Sequence, residues 1–207
     1  MSIIAVLNTK GGVGKTTIAL NLAAAAALAR RKVLAIDGDR QGSLMTAISN
    51  RDGGVAIKAA QYVDGKTLRQ QVTLDIPNYD HIIIDAGGRD SSAMRAALML
   101  ADLVLIPFQP RSFDVWALDD MLELLNEARA SKDIRACAFL AMADSRGLDN
   151  LEAGNAVPDD IEYLDTSICR RKAIAECAGR GYGILEEEFK DVKASIEMRR
   201  LVKAVLQ

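Results

Sequence analysis

Lys10-Gly11-Gly12-Val13-Gly14-Lys15-Thr16-Thr17 decides the fold of this 207-residue chain. The stretch ends in the Gly-Lys-Thr of the general phosphate-loop spacing GxxxxGK[ST], with its glycines drawn closer to the lysine and Lys10 set just before them. It lies between an apolar run, Ile3 to Leu7, and an alanine-rich segment from Thr16 to about Arg30. Strand, glycine loop and helix in that order form the context in which such a loop holds phosphate. Glycines let consecutive backbone N–H groups turn inward, and the helix that follows aims its positive end at the same point. In that arrangement Gly11, Gly12, Val13, Gly14, Lys15, Thr16 and Thr17 form the cradle. Lys15 neutralises β/γ-phosphate charge and the Thr16 hydroxyl ligates Mg²⁺.

Outward from the loop, short apolar runs alternate with stretches of helical period, the pattern of a parallel sheet with helices on both faces. The expected class is α/β, a P-loop fold forming one domain over 1–207. Strands are expected at Ile3 to Leu7, Val33 to Ile36, His81 to Ile84, Leu103 to Ile106 and Ala138 to Met142. Helices are expected at Thr16 to Arg30, Ser91 to Leu100, Val115 to Ala130, Arg171 to Ala178 and Lys193 to Leu206. The polar segments around Gly53-Gly54 and from Ser145 to Asp160 read as loops.

Composition narrows the function. Hydrophobic residues make up 50% of the chain, enough for one buried core. The 26 basic and 28 acidic residues leave a formal charge of −2, so no global field draws the chain to nucleic acid or anionic lipid. The N-terminus lacks the basic and long apolar regions of a signal peptide, and no apolar run reaches the ~20 residues of a membrane span. A cytoplasmic protein without stable membrane insertion is expected. Cys137, Cys169 and Cys177 show neither a CxxC pair nor a histidine partner and are assigned no chemistry.

Two more strand ends carry acids. Val33 to Ile36 leads into Asp37-Gly38-Asp39-Arg40-Gln41, and Tyr79-Asp80-His81-Ile82-Ile83-Ile84 leads into Asp85. Acids at the carboxyl edge of such a sheet sit where open α/β folds bind ligands. One of the first pair also suits the cap of the next helix. Asp85 reads as the acid that holds Mg²⁺ through water. His81 reads as a sheet-edge residue.

Taken together, KGGVGKTT, the Asp37-to-Gln41 element, the Asp85 strand with Ala86-Gly87-Gly88, and Ala101 to Pro107 with Gln109 to Trp116 resemble the ParA/MinD group of deviant Walker A ATPases over residues 1 to 142. The resemblance implies ATP/ADP and Mg²⁺ as ligands and slow intrinsic hydrolysis. It further implies an ATP-bound sandwich homodimer in which Lys10 reaches the partner subunit's nucleotide. Lys10, Lys15 and Asp39 become the catalytic set, with Asp39 orienting water, and Thr16, Asp37 and Asp85 the metal set. Arg40 and Gly87-Gly88 depart from the group's usual residues. Trp116 is a candidate for the subunit interface.

Small partition members of this group bind DNA without sequence preference and are stimulated by a ParB-like centromere-binding protein. The first strand starts at Ser2 or Ile3, so no operator-binding extension is expected. DNA partition with nucleoid association is the leading expectation, with Arg170, Arg171, Lys172, Arg180, Lys193, Arg199, Arg200 and Lys203 as candidate phosphate contacts. The alternative is a MinD-like or organelle-positioning ATPase acting on a membrane or a protein scaffold. The amphipathic last helix would serve a membrane surface, although packing on the sheet is the favoured reading. A cluster-bearing electron carrier on the same loop is excluded, because no cysteine precedes Cys137.

Overall fold

The central strands of the sheet are apolar on both sides, and each connection returns through a helix to start the next strand in the same direction. The computed structural model describes residues 1–87, 91–110, 112–144, 149–187 and 190–206. In chain order the elements are β1 (Ser2–Val6), α1 (Lys15–Leu28), β2 (Val33–Asp37), α2 (Ser43–Ser49), β3 (Lys58–Gln61), α3 (Gly65–Asp75), β4 (His81–Asp85) and α4 (Ser92–Leu100). They continue with β5 (Leu103–Phe108), α5 (Ser112–Arg129), β6 (Arg135–Ala143), α6 (Asp149–Asn155), β7 (Glu162–Cys169), α7 (Lys172–Gly179) and α8 (Val192–Val205). The strands form one seven-stranded sheet in the order β3-β2-β4-β1-β5-β6-β7. Every neighbouring pair is parallel.

Successive strand residues point to opposite faces, so the sheet divides the interior into two cores. Ile3, Ala5, Leu7, Ile82 and Ile84 face α3, α4 and α5, where Leu68, Val72, Met94 and Leu118 pack. Ile4, Val6 and Ile83 face α1, α7 and α8 with Ile18, Leu22, Ile174, Met198 and Leu201. Helix α1 is buried along most of its length, which its alanines permit by letting it lie close to the strands. Its one buried amide, Asn21, gives Nδ2 to the Thr17 carbonyl (2.7 Å) and accepts the Ile184 N–H (2.8 Å).

Five strands and five helices stand where the sequence places them, within a few residues at their ends. The structure adds β3, β7, α2, α3 and α6, the last two within or beyond polar stretches, and α6 corrects the reading of Ser145 to Asp160 as loop. Helix α8 packs on the sheet through Met198, Leu201 and Val205. Among the described residues no helix is long and apolar enough to cross a membrane.

Candidate functional site

The site forms where the sheet order reverses around β1, at the carboxyl ends of the strands, the place where open α/β sheets bind ligands. The loop after β1 is pinned at both ends. Asn8, fully buried, donates Nδ2 to the Pro107 carbonyl (2.9 Å) and accepts the Lys10 N–H (2.8 Å). Gln109 donates to the Gly12 carbonyl at 3.1 Å. Gly12 and Gly14 take φ values of 76° and 92°, left-handed conformations that a side chain would strain. A Cβ at Gly11 or Gly12 would meet no atom within 4 Å, so the loop backbone borders open space as a phosphate cradle requires. Gly14 caps α1, and Lys15 and Thr16 occupy its first turn.

Lys15 is nearly buried and gives its ammonium to the Lys10 carbonyl at 2.8 Å. Burial lowers its pKa, against the opposing pull of Asp85 and Asp39. Register places Asp37 of β2 directly beside Asp85 of β4, and both are almost fully buried. Two neighbouring acids removed from water resist ionisation. Burial pushes Asp85 up to about 7, opposed by the Thr16 hydroxyl bonded to it and by Lys15, and reinforced by Asp37. Asp37 is raised as well, chiefly by burial, although amide donors hold it down.

The Asp37 carboxylate accepts the Asp39 N–H at 3.0 Å and the Met45 N–H at 2.9 Å. It therefore braces the turn between β2 and α2 and caps that helix, the capping role foreseen for one of the two acids. Asp39 stands further out, accepting the Gln41 N–H at 3.0 Å, while its own carbonyl takes a bond from Gln61 Nε2 at 2.9 Å. A Cβ on Gly87 would lie 2.9 Å from Asp39 Oδ2, so glycine there is what lets this carboxylate rest against the chain leaving β4. Gly88 and Arg111 lie outside the described residues, as does the Trp116 side chain.

Beside the loop an apolar pocket of about 150 Å³ opens between α1, the ends of β6 and β7, and α7. Gly14, Thr17, Met142, Ile168, Cys169 and Ile174 line it. Met142 adopts φ 52° at an irregularity of the β6–β7 pairing and places its methyl 3.5 Å from where a Gly14 Cβ would stand. Spacing gave no sign of this pocket, nor of the pinning by Asn8, Gln109 and Gln61. An asparagine right after an apolar strand was the one available signal.

The cations proposed for nucleic acid separate into two sets. Arg171 is engaged with Glu197 (2.5 Å) and Asp191 (3.5 Å) and lines the apolar pocket, Arg180 pairs with Glu187, and Lys172 pairs with Glu176 at 3.2 Å. A guanidinium already neutralised by two carboxylates offers little to a phosphate, so Arg171 leaves the set. Arg170 stays at the pocket rim. Lys193, Arg199, Arg200 and Lys203 are all exposed on α8, on the side away from its buried residues. Cys137 and Cys177 are buried and their thiols pushed up to about 12 and about 11 by burial, unsuited to nucleophilic work. His81 bonds Ser2 at 2.7 Å at the opposite end of β4.

A glycine loop pinned over the carboxyl end of a parallel sheet, with a buried lysine and registered acids beside it, defines a P-loop nucleotide-binding protein. The chain belongs to the CobQ/CobB/MinD/ParA nucleotide binding domain family, whose pattern matches residues 4–184. It is 30% identical to the maintenance of carboxysome distribution protein A of Gloeobacter kilaueensis, over 97% of this chain and 92% of that protein. Its likeness to the chromosome-partitioning ATPase Soj of Thermus thermophilus is 29% over 64% of each. The fold superposes on apo McdA of Cyanothece with a TM-score of 0.83 at 18% identity, covering 100% of both chains.

Proposed function

We propose that the chain is an ATP-hydrolysing positioning switch that distributes a protein-bodied cargo, with a nucleotide-dependent homodimer as its working form. The observation that carries this reading is the near end-to-end likeness to a carboxysome distribution protein, joined to Lys10 standing before an otherwise complete phosphate loop. Plasmid or chromosome partition with a ParB-like partner, the leading expectation from sequence, rests on likenesses that are shorter, as to Soj, or less identical, as to a chromosome partitioning protein ParA. The membrane variant is weakened because Met198, Leu201 and Val205 of α8 pack in the protein, leaving Val192 and Ile196 as its exposed large apolar residues.

The residues fit ATP and Mg²⁺. The loop amides border open space, and the oxygen donors of Thr16, Asp85 and Asp37 are the hard ligands that Mg²⁺ takes. When bound, Mg²⁺ supplies charge neutralisation at the β- and γ-oxygens. Lys15 would exchange the Lys10 carbonyl for phosphate oxygens, and the apolar pocket beside Gly14 and Thr17 would take the base. Asp39, held by Gln41 and Gln61 and resting against Gly87, would orient the attacking water. Lys10 would complete the charge balance across the dimer. The exposed cations of α8 would hold nonspecific DNA if DNA is the track.

Light scattering on Asp39→Ala with no nucleotide, ADP or ATP tests the switch. A dimer with ATP alone is expected, and it should be lost in the Lys10→Ala/Asp39→Ala double variant while ATP binding persists. Equal mass in all three states would refute the switch. Phosphate release accelerated by a ParB-type protein on its centromere DNA would return the reading to partition.

A further inference from the structure

Helices α3 and α4 leave between them an open groove of about 950 Å³, on the face of the sheet away from α1. Its floor includes Ala96 and Met99, and Leu74, at 69% exposed the most exposed large apolar side chain among the described residues, stands on its wall. Lys66, Arg69 and Arg95 border it, and among the described residues no acidic one is in its lining. Arg95 is engaged with Glu127 at 2.6 Å, which leaves Lys66 and Arg69 to set the sign of the rim. Apolar side chains walled by cations suit an amphipathic segment whose polar face is acidic.

One end of this groove, at the first turns of α3 and α4, is tied to the nucleotide site. The chain entering α3 gives Gln61 Nε2 to the Asp39 carbonyl (2.9 Å) and the Tyr62 N–H to the Asp37 carbonyl (2.8 Å). At the start of α3, Gly65 donates to Ser92 Oγ at 3.2 Å, and a Cβ there would stand 2.2 Å from the Ser92 carbonyl, so α3 and α4 are pressed together at their first turns. Helix α4 begins a few residues after Gly87, against which Asp39 rests. An occupant that moved the first turn of α3 would shift Gln61, one of the groups that hold Asp39.

We propose that the α3–α4 groove is the docking site for an acidic amphipathic helix of a partner protein, and that its occupation changes the turnover set by Asp39. The second clause rests on the positioning-switch reading, whereas the docking itself does not.

The probe is a fluorescein-labelled peptide with leucines at i, i+3, i+4 and i+7 and glutamates elsewhere, titrated by anisotropy in the absence of nucleotide. Controls are a lysine-for-glutamate version and a scrambled order. Saturable binding of the acidic helix alone is expected, weakened about ten-fold or more in Leu74→Asp and in Lys66→Glu/Arg69→Glu. These positions are exposed, so both variants should melt with the wild type. No binding, equal binding of the controls, or binding indifferent to the substitutions would overturn the docking site. So would nucleotide-free self-association that Leu74→Asp abolishes, since the groove would then belong to a second copy. Phosphate release is measured separately with saturating peptide. An unchanged rate overturns the coupling, and a chain without hydrolysis under any condition overturns the positioning-switch reading while the anisotropy still decides the docking.

Discussion

Asp85 makes the stability of the nucleotide-free protein depend on pH in a direction opposite to that of most carboxylates. Its carboxyl is pushed from 3.8 up to about 7 in the folded state, mainly by burial and with Asp37 beside it. Between those values the folded chain holds a proton that the unfolded chain has released, so stability falls as pH rises through the window and levels off above about 7. One proton corresponds to about 1.4 kcal/mol per pH unit, so raising the pH from 5.5 to 7 should cost about 2 kcal/mol. For a chain of this size that is about 4–8 °C in melting temperature. Lys15, lowered by burial, acts in the other sense, adding stability only as pH climbs above its folded pKa toward 10.5. Thermal melts at pH 5.5, 6.2, 7 and 8 on wild type and Asp85→Asn read the effect directly. Most of the slope should vanish in Asp85→Asn, with a remainder from Asp37, and the variant should be the more stable protein at pH 8. Mg²⁺ with ADP should flatten the wild-type slope, because a cation at the carboxylate favours its charged form. Equal slopes in wild type and Asp85→Asn would show that the two acids are not held together out of water, and the site geometry would be wrong.

Three further substitutions probe separate supports. Gly87→Ala should displace the Asp39 carboxylate, which lies 2.9 Å from the new Cβ, and lower ATP turnover on the order of 10²-fold with nucleotide affinity unchanged; unaltered single-turnover phosphate release would remove Asp39 from its assigned place. Asn21→Ala strips the Ile184 N–H of its acceptor and should cost about 1–3 kcal/mol in urea unfolding. Arg171→Gln leaves Glu197 partly buried without its main partner and should cost about 2 kcal/mol, less than the 3–5 kcal/mol of a fully buried pair because both side chains keep some exposure. If Arg171→Gln instead keeps full stability and loses only DNA retention, the nucleic-acid role first read for that residue is restored.

What the sequence disclosed and what it hid follow from where information must be local. Gly12 and Gly14 are legible because their backbone angles forbid other residues, and Asp37 and Asp85 because each ends an apolar run. The central strands read clearly since both of their faces are covered. The strands missed, β3 and β7, are the two edges of the sheet, and their exposed alternate residues erase the apolar run. Helix α3 was missed for a related reason: only Gly65, Leu68 and Val72 are buried in it, and the rest of its surface is polar.

The same distinction explains the site. Lys10 to Thr17 lie on one continuous loop and first turn, so spacing alone brings them together, whereas Met142, Ile168 and Ile174 meet Gly14 only through the sheet order. Arg171 looked like a free cation because its partners, Asp191 and Glu197, lie on the chain two elements later. Gly87 shows the limit most clearly. Beside the group's usual residues it reads only as a departure, yet its missing side chain is what gives Asp39 room to rest there. A glycine in such a place is therefore interpretable only once the residue that fills the space beside it is known, and here that residue is the one proposed to position water.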